Sequence, residues 1–515
     1  MSADILLVIV GIAALMIGYP AALTLGGVAV VFAVVGVMTG TFDPFLLSAV
    51  PSRLFGILTS QILLAVPLFV FMGLVLEKSG VAEAMFSNLA RYLRNRRGGL
   101  GVAVTIVGAM LAASTGIVGA SVVTLGLIAL PALLDNGVRA DRAAGTVAAA
   151  GTLGQIVPPS IVLIVLGDQM SNAFQKMQSD SGQFSVDTVS VSDLFAGAIL
   201  PAMLLVGLYV CWQFLTADKV RDNKPAVQHH HAGNNFGDLL VFMAPVILIL
   251  LVLGSILGGV ATPTESAALG AVGALFLAAR HQAVSRAQKG VSDAGLGLLL
   301  FLFILRWLFN VENAAVWWLG IAASAAFSTM LLSSIVALNK VGVLRPVLAE
   351  SVHLISMIFL IVIGTSIFAL VFRGFGGDDT VNALLSDLPG GTWSALLIVM
   401  LAIFVLGFFL EFLEITYLVV PLVAPVLLSL PMGDGSVMSP IWLGVLIALN
   451  LQTSFLTPPF GVSLFYLRSV AAQEITTNSI YRGCAPYIFL QLLVLAVVLV
   501  FPALTTWLPQ VLFAP

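Results

Sequence analysis

Charge is what this chain has least of. Only 9% of its 515 residues are charged, against 60% apolar, and mean hydropathy is +1.11. Soluble domains carry roughly 25% charged residues, so a water-soluble globular fold is excluded. The net charge of −3 supplies no electrostatic footprint for nucleic acid, and no such partner is expected. Cysteine is almost missing. Cys211 and Cys484 both sit in or beside apolar runs, which argues against a structural disulfide and for buried, inert thiols. None of the five histidines (His229, His230, His231, His281, His353) falls at the centre of an apolar run. No His-Glu-x-x-His, Gly-x-Ser-x-Gly or P-loop pattern occurs, which disfavours intramembrane catalysis and P-loop ATP binding. The N-terminus lacks a positively charged n-region, so Ile5–Leu15 reads as part of an uncleaved spanning helix rather than a signal peptide.

What is there is a long series of apolar runs, many near the ~20 residues that span a bilayer. The expected fold is an all-α polytopic membrane protein embedded in a lipid bilayer. Helices are expected at 4–18, 20–38 and 58–77, with an amphipathic stretch at 80–98. A hairpin follows at 100–134, turning near Ser114-Thr115-Gly116, then an interrupted helix at 143–168 and a polar loop at 169–191. Helices at 193–215, 238–258, 264–280, 294–311 and 315–338 come next. The pattern then restarts with a helix at 351–372, a polar arm at 376–391, a second hairpin at 392–430, a second interrupted helix at 441–468 and a last helix at 485–508.

Two segments 300 positions apart carry the same device. Ala148–Ser160 and Ala448–Phe460 each run from an apolar helix with small and polar residues into a Pro-Pro pair. Proline lacks an N–H and breaks the helix. Pro158 and Pro159 remove the donors that Gly154 and Gln155 would use, and Pro458 and Pro459 do the same to Ser454 and Phe455. Bare carbonyls at membrane depth survive only inside protein, along a cavity or against a ligand. Paired interruptions in two halves are the best sequence pointer to a transporter's binding site.

Basic residues set the expected topology. With the N-terminus outside and each hairpin re-entrant, all but four of the 21 Lys and Arg residues fall on the cytoplasmic side. The exceptions are Arg53, Lys176, Arg306 and Arg373. The hairpins then enter from opposite sides, making the halves an inverted repeat with both termini periplasmic. The resulting divisions are N-terminal spanning helices at 1–50, a first repeat at 51–215, intervening helices at 216–345 and a second repeat at 346–515.

The segments Ala149-Ala-Gly-Thr-Leu-Gly154, Val157-Pro-Pro-Ser160, Gly258-Gly-Val-Ala-Thr-Pro-Thr-Glu-Ser266, Gly407-Phe-Phe-Leu-Glu411, Leu449-Asn-Leu-Gln-Thr-Ser454 and Leu456-Thr-Pro-Pro-Phe-Gly461 occur in this order. Together they resemble the large membrane subunit of the tripartite ATP-independent periplasmic (TRAP) transporters, over almost the whole chain. The resemblance implies an elevator-type secondary transporter in the bacterial inner membrane. It implies a sodium gradient as driving force and no cofactor beyond sodium as coupling ion. Its partners would be a small membrane subunit of four helices, a periplasmic substrate-binding protein and a small organic anion. Two features depart from the usual pattern. Two extra helices occupy about 292–340, rich in Trp307, Phe309, Trp317 and Trp318. Glu411 and Glu414 stand where the family has one Asp, in a form resembling a subgroup associated with 2-oxo acids. The rival reading is a channel or a proton-coupled organic-acid permease working without a binding protein.

Glu411 and Glu414 lie mid-hairpin, three apart, on one face if helical. An ionisable group at membrane depth costs at least ~2.5–3.5 kcal/mol and is a functional candidate by default; helix capping is the alternative. Hydroxyls and freed carbonyls supply the hard oxygen ligands a cation prefers. The candidate solute and ion site comprises Ser114, Thr115, Gly116, Thr152, Gly154, Pro158, Glu411, Glu414, Thr416, Gln452, Thr453, Ser454, Thr457 and Pro458. Sodium would be held by Ser114, Thr115, Gly154, Glu411, Thr453 and Thr457. The alternative for the hydroxyls is back-bonding to helix carbonyls. Thr262-Pro-Thr-Glu265 reads as a capping box, and His229–His231 as a solvated linker.

Overall fold

The computed structural model describes residues 2–93, 96–182, 188–217, 235–283, 285–308, 314–433, 435, 437–459, 461–472 and 475–513. Helices α1 (Ala3–Leu15) and α2 (Ala21–Thr39) lead into α3 (Val50–Leu58), α4 (Gln61–Lys78) and the arm α5 (Val81–Leu93). The first hairpin is α6 (Gly99–Thr115) and α7 (Val118–Asp135). The first interrupted helix is α8 (Ala140–Thr152) and α9 (Ile161–Asp180), followed by α10 (Val191–Thr216). Between the halves run α11 (Asn235–Leu257), α12 (Pro263–Gln282), α13 (Arg286–Leu308) and α14 (Ala314–Val341). The second half holds α15 (Leu344–Gly374), the arm α16 (Gly377–Ser386) and a hairpin of α17 (Gly391–Leu406), α18 (Phe412–Glu414) and α19 (Val420–Ser429). It closes with α20 (Pro440–Leu456), α21 (Val462–Val470), α22 (Thr477–Val500) and α23 (Ala503–Phe513).

The protein is an all-α, multi-pass membrane protein. Eight of the described helices are long and apolar enough to cross a bilayer, and among the described residues there is no β-strand beyond one isolated bridge, Pro431 to Val437. The hairpin arms α6 and α17, with 17 and 16 residues, reach only ~24–26 Å at 1.5 Å per residue, short of a ~30 Å hydrocarbon core.

Burial sorts the helices. From Ala143 to Thr152 every residue of α8 is buried, and from Trp442 to Leu456 every residue of α20 is buried. Helices apolar all round belong inside, and the Ala/Gly run of α8 lets neighbours approach closely. A Cβ placed on Gly145 would overlap the backbone of Gly483 in α22, and one on Gly483 would overlap that of Asp141. By contrast α2 exposes Val30, Val31, Val34, Val35 and Met38, a face suited to lipid.

The long helices cross-pack between the halves. α2 lies on α15 and α12 on α4, and α4 lies on α15. Thr264 Oγ1 donates to the Gln61 carbonyl over 2.6 Å and Gln282 Nε2 to that of Ser79 over 2.8 Å, so α12 runs parallel to α4. Lys78 at the end of α4 pairs with Glu350 near the start of α15 over 2.9 Å. Ser60, before α4, and Arg373, at the end of α15, line one cavity at the other end. The two helices are therefore antiparallel, and the arms α5 and α16 leave from opposite ends of the pair. α13 and α14 pack on α12, and α14 also on α15; among the described residues no hairpin element is a principal neighbour of either.

Three expectations are corrected. Residues 169–180 are not loop: α9 continues to Asp180, because Met170, Ala173, Phe174 and Met177 recur at helical spacing and no breaker intervenes before Gly182. The last helix is two, since Pro502 separates α22 from α23. A short helical element not foreseen, Pro44–Leu58, precedes α4; Asp43 starts it by accepting from the Phe45 N–H over 2.9 Å. The capping box at Thr262 is present: its N–H donates to Glu265 Oε2 over 2.9 Å and its hydroxyl oxygen accepts from the Glu265 N–H over 3.2 Å. The tip at 114–116 turns where expected. His229–His231 and residues 309–313 lie outside the described residues.

The α8–α22 crossing is testable. Gly145→Val should destabilise by at least the ~1–3 kcal/mol of core overpacking, because the obstacle is backbone and cannot rotate away. Gly207→Ala on α10, where a Cβ meets nothing within 4 Å, should leave the melting temperature unchanged in the same fluorescence-detected chromatography assay.

Candidate functional site

Both interruptions are repaired in the same way. In the first, α8 passes into a 3-10 turn, Leu153–Gln155, before the Pro-Pro pair. Ser160 Oγ then donates to the Gln155 carbonyl over 3.1 Å. In the second, Ser463 Oγ donates to the Phe455 carbonyl over 2.6 Å. Thr457 N–H donates to the Ser454 carbonyl over 3.1 Å. The carbonyls of Gln155, Ser454 and Phe455 are therefore not bare, contrary to expectation: a nearby hydroxyl or N–H replaces the donor that proline lacks. At the first break the N–H groups of Ile156 and Val157 turn to the Leu153 carbonyl, not to Gly154. Pro158–Pro159 and Pro458–Pro459 are both cis peptides.

The two interruptions meet. Gln452 Nε2 reaches Thr152 Oγ1 over 3.5 Å, across the same 300-residue offset that separates the Pro-Pro pairs. Gln491 Nε2 approaches the same hydroxyl over 3.4 Å. Equivalent positions of the two halves thus touch each other.

The hairpin tips come to the interruptions. Gly116 turns with φ +61°, and a Cβ there would press on Ile161, the first residue of α9. A Cβ on Gly119 would meet the Tyr466 ring of α21 at 2.6–3.0 Å. Gly407, in the tip of the second hairpin, abuts the Ser454 hydroxyl. The second arm of each hairpin packs on the other half's interrupted helix, α7 on α21 and α19 on α9.

Glu411 and Glu414 form a capping box at the second tip, in which the Glu411 N–H donates to Glu414 Oε2 over 2.6 Å. Glu414 is buried and half engaged in holding this turn; Glu411 is partly exposed. A π-helical stretch, Ile415–Val419, follows at once, a distortion frequent at functional sites. It carries Thr416, fully buried, whose hydroxyl has no partner among the described residues.

The remaining hydroxyls back-bond. Thr152 donates to the Ala149 carbonyl, Thr453 to Leu449, Ser454 to Leu451 and Thr457 to Thr453, over 2.7–2.8 Å. This is the structural alternative, but a hydroxyl that donates its proton to a carbonyl keeps its lone pairs for a cation. Ser114 and Thr115 close α6, and their side chains lie outside the described residues. Asn450, in the same motif, is structural: its Nδ2 donates to the Met400 carbonyl over 2.6 Å.

Sequence reading missed Gln155. Its amide is fully buried and neither end has a partner among the described residues, a costly arrangement for an amide unless a ligand or ion meets it. Its place three residues before Pro158 was the available signal. Also missed was a polar cluster on α8, α10 and α22, where Gln213 donates to Thr146 Oγ1 over 2.9 Å and both reach the Tyr487 hydroxyl.

Ser160→Ala and Ser463→Ala should each leave a buried carbonyl unpaired and lower the melting temperature by the equivalent of ~1–3 kcal/mol. Ser469→Ala, which removes an exposed bond within α21, should not.

The family model described as the DctM component of the tripartite ATP-independent periplasmic transporter matches residues 8–305 and 279–504. A Vibrio cholerae C4-dicarboxylate TRAP transporter large permease protein is 26% identical over 99% of this chain and 98% of its own length. A Rhodobacter capsulatus protein of the same name is 25% identical over 97% of both chains. The sialic acid TRAP transporter large permease protein of Vibrio cholerae is 24% identical over 96% of both. Among solved structures, the Alcanivorax borkumensis YdaH transporter superposes with a TM-score of 0.54 at 17% identity, over 90% of each chain, a likeness of fold.

Proposed function

The chain belongs to the DctM family of TRAP transporters as a large permease subunit, a transporter and not an enzyme, and from this premise we propose what it carries and how. It imports a small organic anion, a carboxylate such as a 2-oxo acid, across the bacterial inner membrane. The relatives named for C4-dicarboxylates and sialic acid both carry carboxylates. A periplasmic binding protein delivers the solute, a small membrane subunit of four helices braces the scaffold, and a sodium gradient drives the step. Both termini face the periplasm.

One observation carries this reading: the two Pro-Pro interruptions touch through Thr152 and Gln452. A pair of broken helices meeting at equivalent positions is how many transporters build a site at the membrane midplane. The opposite placement of arms α5 and α16 favours an inverted pair of repeats at 51–215 and 346–515. In this reading α2, α4, α12 and α15 form a frame, with the extra helices α13 and α14 outside it. The hairpins with α8, α9, α20 and α21 form the body that moves as an elevator.

Within that body, Ser114, Thr115 and the Gly154 carbonyl hold one sodium ion. Glu411, Thr453 and Thr457, with Thr416 beside them, hold a second. Gly116, Thr152, Pro158, Gln452, Ser454 and Pro458 shape the space between, where Gln155 offers its unpaired amide to the solute. Glu414 holds the turn that aims Glu411.

Two measurements test this in proteoliposomes. The chain alone should show no uptake, and uptake should appear when the small subunit and binding protein are added. Glu411→Gln keeps size and one acceptor oxygen but removes the charge. It should abolish sodium-driven uptake while leaving assembly and yield nearly unchanged. Sodium dependence unaltered in that variant would reduce Glu411 to a helix cap.

A further inference from the structure

Three cations that break the basic-residue bias converge. Arg53 of α3, Lys176 of α9 and Arg373 of α15 line a single cavity of about 630 Å³, within the ~300–1,000 Å³ of small-molecule sites. Asp168 and Tyr417 share its wall, and Pro421 and Pro425 of α19 bring the second hairpin to it. The cavity therefore lies between the frame helices α4 and α15 and the elements that carry Glu411.

The three cations are not equivalent. Lys176 Nζ pairs with Asp378 Oδ2 over 2.6 Å, and Arg373 Nε faces Oδ1 of the same carboxylate over 3.5 Å. Arg53 has no ion pair among the described residues. Against three cations stand two carboxylates, Asp168 and Asp378, leaving one positive charge in a half-enclosed site. A single carboxylate neutralises it; a second negative charge would be left uncompensated away from bulk water. Tyr417 points the same way. It is 8% exposed and lines the cavity, and its buried hydroxyl has no partner among the described residues, so its hydrogen-bonding capacity is unspent beside the site. A guanidinium fork suits a carboxylate better than any other side chain.

We propose that this cavity is an outer binding site for a singly charged carboxylate, held by the Arg53 guanidinium and the Tyr417 hydroxyl, on the solute's way to the hairpin tips. The proposal rests on the reading that the solute is an organic anion.

Thiol labelling tests it without knowing the solute. The full chain, with its small subunit in lipid nanodiscs, carries Cys211→Ser to remove the exposed native thiol and Asn172→Cys in the cavity wall; Cys484 is buried. A sulfonate-bearing thiosulfonate should react faster than a trimethylammonium-bearing one. Arg53→Gln should lower that ratio roughly tenfold, the scale of electrostatic focusing in a charged cleft. Arg53→Lys should keep the ratio. Arg345→Gln, near the far end of α15 and about 42 Å away at ~1.5 Å per residue, should also leave it unchanged. Pyruvate should slow labelling, succinate no better, and Tyr417→Phe should weaken protection by pyruvate while sparing the ratio. Equal rates for the two reagents, or pyruvate protection that survives Arg53→Gln, would overturn the site. Loss of uptake with this labelling pattern intact would overturn the transport reading alone.

Discussion

Backbone groups at membrane depth must find partners, and the Pro-Pro pairs remove donors there. The rest of the structure depends on that constraint. With no water to take over, each lost donor costs several kcal/mol if nothing replaces it. Ser160 and Ser463 replace one each, by the same contact to Gln155 and Phe455. The helices that lead into the interruptions, α8 and α20, are buried almost throughout, and the first Pro-Pro pair is buried with them, while Pro459 of the second is exposed. The hairpins supply the walls: α6 and α7 flank α8, and α17 lies on α20.

The same need explains why the two halves are interlocked. Each hairpin's second arm rests on the other half's interrupted helix, and the long helices α4 and α15, one from each half, pack on each other. Close approach is set by small residues. The Gly145–Gly483 crossing leaves no room for a side chain, and in a bilayer such packing replaces the hydrophobic drive that holds soluble cores together.

In the acid pair at the second hairpin tip the two carboxylates are held differently. A carboxylate at a helix start stabilises the turn through the backbone N–H and the dipole. Glu414 does this with the Glu411 N–H. Glu411 opens the helix and stays partly exposed.

The sequence by itself determined the membrane class, because charge and hydropathy are sums that need no geometry. It also determined both interruptions, since proline acts locally, and the Thr262 capping box, whose three-residue reach lies within one turn. The first hairpin tip was legible because Gly116 marks a turn within an apolar run, and the second because Glu411 and Glu414 interrupt one. Ends failed where the local signal was weak. α9 ran on through polar residues to Asp180, and the short element before α4 starts from a single Asp43 cap. Only the tertiary structure decided which distant groups meet. It set the Thr152–Gln452 contact, the orphaned amide of Gln155 and the gathering of Arg53, Lys176, Arg373 and Tyr417 around one cavity. Those juxtapositions depend on how antiparallel helices from the two halves pack, and no spacing along the chain encodes them.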